Sequence, residues 1–169
     1  MILLKTKEEI ELIRDAGLLL GKTLAEVGRH IRPGVTTAYL DQIGEQFIRD
    51  NGAKPLCKGF EGFPAAFCIS VNDVVVHGIP GDLFVKEGDN VTLDCVIELN
   101  GYVADSAYTF SVGEVSPEMQ RLMKVTREAL LLASTSARPA IVSVTSVMPY
   151  RCIARRMDTM LSVNSVVTV

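Results

Sequence analysis

The dipeptide Asn100-Gly101 lies between two β-rich runs, and it constrains this chain more than any other feature. The runs are Asn90-Val-Thr-Leu-Asp-Cys-Val-Ile-Glu-Leu99 and Tyr102-Val-Ala-Asp-Ser-Ala-Tyr-Thr-Phe110. A two-residue type I′ turn needs positive φ at both central residues, which Asn and Gly tolerate best, so the stretch is predicted to be a β-hairpin. The turn sets the register: Leu99 faces Tyr102, Asp94 lies opposite Ala107, and Asp105 lies opposite Val96. Side chains alternate between faces, so Asp94 and Asp105 share one face on a diagonal of about 7–8 Å or less. Neighbouring carboxylates repel, and one stays protonated unless a cation sits between them. The residues alone leave two readings open. One is half of a divalent metal site, since hard ions take oxygen ligands and two-metal hydrolases hold their ions about 3.5–4 Å apart. The other is a pair of solvated aspartates on an exposed face.

The 169 residues suffice for one domain with a real core. A net charge of −3, no tryptophan and no basic block argue against a nucleic-acid surface. The N-terminus lacks the apolar stretch of a signal peptide, and no run approaches a membrane-spanning length. Cys57, Cys68, Cys95 and Cys152 show no paired spacing, which fits reduced thiols and a cytoplasmic location.

Thr6-Lys-Glu-Glu9 reads as a capping box opening a long helix. Ile10, Ile13, Gly17, Leu20, Leu24, Val27 and Ile31 form its stripe, and Pro33-Gly34 ends it. Thr36 or Thr37 caps a second helix through Leu40, Ile43, Phe47 and Ile48, closed by Asn51-Gly52. A loop over residues 54–64, rich in Gly, Pro and Phe, is either a pocket lining or an ordinary connector. Strands are predicted over residues 67–71 and 74–76, with a turn at Asn72-Asp73, and His77 ends the second strand. A histidine at a strand end stands where functional groups are often placed. Ser116-Pro117 starts a third helix whose apolar face is Met119, Leu122, Met123, Thr126, Leu130 and Ala133. Helices and strands are segregated, so the fold class is α+β.

Taken together, Lys5-Thr-Lys-Glu-Glu-Ile10, Ile31-Arg-Pro-Gly-Val-Thr-Thr37, Cys68-Ile-Ser-Val-Asn-Asp-Val-Val-Val-His-Gly-Ile-Pro80, Gly88-Asp-Asn-Val-Thr-Leu-Asp94 and Gly101-Tyr-Val-Ala-Asp-Ser-Ala107 form a specific pattern. Over residues 1–133 the chain resembles the N-terminal half of a type I methionine aminopeptidase. That resemblance implies the pita-bread fold and removal of N-terminal methionine from nascent proteins by two divalent metal ions, with Co, Mn, Fe and Zn all compatible. It implies that Asp94 chelates one ion and Asp105 bridges both, and that the ions polarise the scissile carbonyl and activate a water. His77 would be the catalytic histidine that hydrogen-bonds the substrate. Cys57, Phe60 and Phe63 would line the methionine pocket, where a thioether packs well on aromatic edges. Glu61, Ala65, Ala66 and Phe67 depart from the family pattern, which leaves the substrate range open.

The family site uses five ligands, and only the two aspartates are present. The missing histidine and two glutamates belong to the second half of the family fold, so the resemblance implies a truncated, impaired enzyme whose exposed half-fold favours oligomers. Residues 134–169 contain no Gly, Glu, Lys or Gln and are rich in Ser, Thr and Val. They read as an aberrant tail, poorly structured or improvised, with short strands at 141–144 and 163–169 as the plainest alternative. A sharper reading is a translated frameshift. One base out of register, Met157-Asp158 encodes Gly, and the codons of residues 161–169 admit a segment ending in Gly-His-Gly that is similar to the family's histidine segment. Two other functions remain: a non-catalytic pita-bread binding module, and a related proline-specific metallopeptidase.

Overall fold

A computed structural model describes residues 4–136. The described chain falls into two units, one ending at Val115 and the other beginning at Ser116. The tail beyond residue 136, with the strands expected there, lies outside the described residues.

Helix α1 spans Lys7–His30 and opens as its sequence predicts. Glu9 N donates to Thr6 Oγ1 at 3.2 Å, and Thr6 N donates to Glu9 Oε2 at 2.7 Å. Each side chain thereby satisfies a backbone donor that the first turn leaves unpaired. The buried stripe is Ala16, Leu19, Leu20, Thr23, Leu24 and Val27. It passes through Ala16 rather than Gly17, which is exposed. Helix α2 spans Thr37–Asp50, with Thr36 as N-cap accepting from Tyr39 N at 3.2 Å and Asn51 as C-cap.

Four strands form one antiparallel sheet: β1 (Lys54–Pro55), β2 (Phe67–Val71), β3 (Asn90–Leu99) and β4 (Tyr102–Ser111). The hairpin register is the predicted one, with Leu99↔Tyr102, Val96↔Asp105 and Asp94↔Ala107. Asn100 and Gly101 take φ of 53° and 82°, as a type I′ turn demands. β4 follows one edge of β3; β1 and β2 lie end to end along the other, with Pro55↔Ile97 and Phe67↔Cys95. β1 is too short to be heard in a loop sequence. The strand expected over residues 74–76 does not form. Those valines are exposed, and only Val74 N is tied back, to Val71 O at 3.2 Å. β-branched residues favour a strand only where a neighbour accepts their backbone, and from β2 Ile69 N donates instead to Gly78 O, further along the chain.

Val91, Leu93, Cys95 and Ile97 of β3 face the helices and are buried, whereas Thr92, Asp94, Val96 and Glu98 face away. The core joins them to Leu20, Leu24, Val27, Leu40, Ile48 and Phe67. Gly44 lets α2 approach closely, because a side chain there would strike the Phe67 ring. In the second unit, helix α3 (Pro117–Ser136) starts at the predicted proline, with Met119 N donating to Ser116 Oγ at 3.2 Å. It continues past the expected boundary at residue 133. Its most buried residues are Val125 and Ala129, one step round from the stripe read in the sequence.

Candidate metal centre

The face of β3 and β4 turned away from the helices carries the candidate site. Alternation places Thr92, Asp94 and Val96 beside Asp105, Ala107 and Thr109, and the Thr92 and Thr109 hydroxyls hydrogen-bond at 2.9 Å. Asp94 and Asp105 therefore stand on one face, as the turn register predicts. Burial raises the Asp94 pKa above the ordinary carboxylate value; the Asp105 charge raises it further, and His77 partly offsets both. Burial also raises Asp105. Desolvated carboxylates with a repelling neighbour are a donor set that a hard cation relieves.

His77 is exposed and lies in a loop, not at a strand end, with φ at 56°. That left-handed conformation is strained for a residue with a side chain and persists where the surroundings enforce it. The next residue does the enforcing. Gly78 packs directly on the Ile69 carbonyl, where no side chain fits. Ile69 N donates to Gly78 O at 2.8 Å, and Gly78 N donates to Ser70 Oγ at 3.2 Å. The loop is thus strapped to the free edge of β2, which brings the imidazole within electrostatic reach of Asp94.

Cys57 follows Leu56, whose N–H donates to Val96 O at 2.8 Å. This places the half-buried Cys57 near both aspartates; the neighbouring Cys68 thiol lowers the Cys57 pKa, and burial and the aspartate charges partly oppose that shift. Phe60 and Phe63 lie beyond it, on a tight 3-10 turn (Phe60–Gly62). Gly59 N donates to Phe63 O at 2.8 Å, and Phe60 N to Cys57 O at 3.1 Å. Phe63 is half-buried and Phe60 is 70% exposed. The register sets Asp94 and Asp105 on one face, His77 and Cys57 lie within electrostatic reach of Asp94, and Phe60 stays exposed on the loop.

Two contributors have no signal in the sequence. Cys68 is the direct cross-strand neighbour of Asp94 and so shares its face. Asp41 of α2 accepts from Ala66 N at 3.0 Å and Phe67 N at 2.8 Å, fixing where the loop re-enters the sheet. Burial raises the Asp41 pKa, and those two backbone donors partly oppose the shift. Both depend on which segments meet across the fold, which no local pattern encodes.

Asp94 and Asp105 fit a divalent ion as carboxylate donors. Among the described residues, no group of three or more His, Cys, Asp or Glu converges on one point. No helix among them is long and apolar enough to cross a membrane.

The sequence profile of metallopeptidase family M24 matches residues 11–148. The methionine aminopeptidase of Clostridium perfringens is 50% identical over 129 residues, covering 76% of this chain and 52% of that protein. The crystal structure of methionine aminopeptidase from Rickettsia prowazekii superposes with a TM-score of 0.90 at 33% identity, over 92% of this chain and 63% of that one. A prolidase from Pyrococcus furiosus, at 24% identity and a TM-score of 0.80, shares the fold over 90% of this chain and 44% of its own. The chain spans about half the length of the curated relative it matches.

Proposed function

The chain belongs to metallopeptidase family M24 and carries its pita-bread fold, and from that premise we propose that it is a methionine aminopeptidase that removes N-terminal methionine from nascent proteins in the cytoplasm. Asp94 and Asp105 hold divalent metal, two ions in the full site. When bound, the metal supplies Lewis acidity that polarises a carbonyl and acidifies water. His77 donates a hydrogen bond to the substrate beside the scissile peptide. Cys57 and Phe63 form the inner wall of the methionine pocket, and Phe60 forms its rim. The observation that carries the reading is the placement of Asp94 and Asp105 on one sheet face, with His77 near enough to bias the Asp94 charge.

Two carboxylates make only part of a five-ligand set. The chain acting alone is therefore proposed to bind metal weakly, to turn over slowly and to associate as an oligomer. Residues 134–169 are proposed to be an out-of-frame tail. The matches to curated relatives cover 129 to 139 residues in the Clostridium perfringens and Bacillus subtilis enzymes, and the family profile reaches residue 148. Sequencing the gene from codon 134 onward checks this. An open shifted frame encoding the missing histidine and glutamates supports it, and a shifted frame full of stops refutes it.

Incubating the purified chain with a Met-Ala-Ser peptide and manganese or cobalt tests the activity. Methionine release that requires metal and disappears in Asp94→Asn and Asp105→Asn is the expected outcome, at whatever rate. Binding of the peptide without metal and without cleavage would instead mark a non-catalytic module.

A further inference from the structure

We propose that Cys57 and Cys68 form a reversible disulfide that closes the base of the loop carrying Phe60 and Phe63. The sheet topology brings them together. The chain leaves the edge of β3 just after Leu56, which bonds to Val96, and rejoins it at Phe67, opposite Cys95. Exit and re-entry therefore lie side by side, with residues 58–66 looped out between them. Cys57 is the first residue out. Cys68 is the second residue back and shares the face of Asp94. Both thiols are free, and each lies close enough to the other to perturb its ionisation. On segments that leave and rejoin the same strand edge side by side, the two side chains reach the ~2.05 Å of an S–S bond by changes of rotamer.

Exposure sets the order of events. Cys57 is half-buried and open to a small oxidant, whereas Cys68 is buried. Peroxide transfers one oxygen to the Cys57 sulfur, giving a sulfenic acid and one water. The Cys68 sulfur then displaces the hydroxyl, so that an S–S bond forms and a second water leaves. Two thiols lose two electrons and two protons, and one hydrogen peroxide becomes two waters. A dithiol reductant reverses the step by exchange. Cys95 takes no part. It is fully buried on the helix-facing side, with its thiol directed at Ala66 O at 3.7 Å. The bond pins the loop at its base and removes two thiols from the wall beside Asp94. It needs no metal and does not rest on the peptidase reading.

The test treats the reduced chain with hydrogen peroxide in chelator-containing buffer and follows intact mass and alkylated peptide maps. The expected product is about 2 Da lighter, contains a Cys57–Cys68 cross-linked peptide, and returns to the dithiol with dithiothreitol. It forms about tenfold or more faster than Cys95 is modified. In Cys68→Ser, Cys57 halts as a sulfenic acid that dimedone traps; in Cys57→Ser no cross-link forms. Should a variant fold poorly, phenylarsine oxide on the unaltered chain serves instead, and it should protect Cys57 and Cys68 from alkylation together. A cross-link from Cys57 to Cys152, oxidation of Cys57 that leaves Cys68 alkylatable, or arsenical protection of only one of the two would overturn the proposal.

Discussion

The two faces of the four-stranded sheet come from alternate residues of the same strands, yet they are built to different ends. Leu93 and Asp94 are chain neighbours. Leu93 lies on the helix-covered face and is completely buried, whereas Asp94 lies on the other face, half-buried, beside Cys68 and diagonal to Asp105, with His77 in electrostatic reach. The helix-covered face satisfies itself: apolar groups meet apolar groups, and among the described residues no buried side-chain polar atom lacks a partner. The other face gathers two carboxylates whose pKa values burial raises, Asp94 further by the Asp105 charge and with His77 partly offsetting. The core lies on one side and the candidate metal donors on the other, and the period-two alternation of a strand is what keeps them apart.

Substitutions at neighbouring positions should therefore give opposite results. Leu93→Ala removes a fully buried side chain from the core and should cost about 3–4 kcal/mol in chemical denaturation. Loss below about 1 kcal/mol would mean that the core does not sit where the fold places it. Gly44→Ala forces a methyl group into the Phe67 ring and should cost about 1–2 kcal/mol, despite the better helix propensity of alanine. A stabilised variant would show that α2 stands further from the sheet. Thr36→Ala removes the N-cap of α2 and should cost about 1 kcal/mol.

Asp94→Asn should reverse the sign. Without metal it removes a desolvated charge facing another, and should raise stability by about 0.5–1 kcal/mol at neutral pH. The pH dependence follows from the raised pKa of Asp94. The folded state holds its proton more tightly than the unfolded state does. The penalty is therefore fully present above the raised folded pKa, and it disappears as pH falls towards the ordinary carboxylate value near ~3.9. The advantage of Asp94→Asn over the unaltered chain should shrink across that window. An advantage that grew on acidification would show that Asp94 is stabilised as a carboxylate, contrary to the crowding described above.

These contrasts also explain what the sequence could disclose. The Asn-Gly turn is a local rule, and it carried the hairpin, its register and the pairing of Asp94 with Asp105 on one face. The Thr6 and Thr36 caps and the Pro117 start are equally local. Residues 74–76 misled because β-branched composition reports a preference, whereas a strand needs a partner edge. Cys68, Asp41 and the short β1 were invisible for the complementary reason, since each is defined by a segment distant in sequence. His77 was legible as a residue at the site, but its positive φ was not, because the strain comes from Gly78 seating on the Ile69 carbonyl. The family resemblance named the aspartates that the turn had already paired, and membership of the M24 family accords with it.

A manganese titration followed by calorimetry, on the unaltered chain and on Asp94→Asn and Asp105→Asn, tests the central claim most directly. The account predicts binding by the unaltered chain that weakens as pH falls, because protons compete for the same oxygens, and loss of that binding in either variant. Equal binding by all three proteins would place the cation elsewhere, and the open face would then be no metal site.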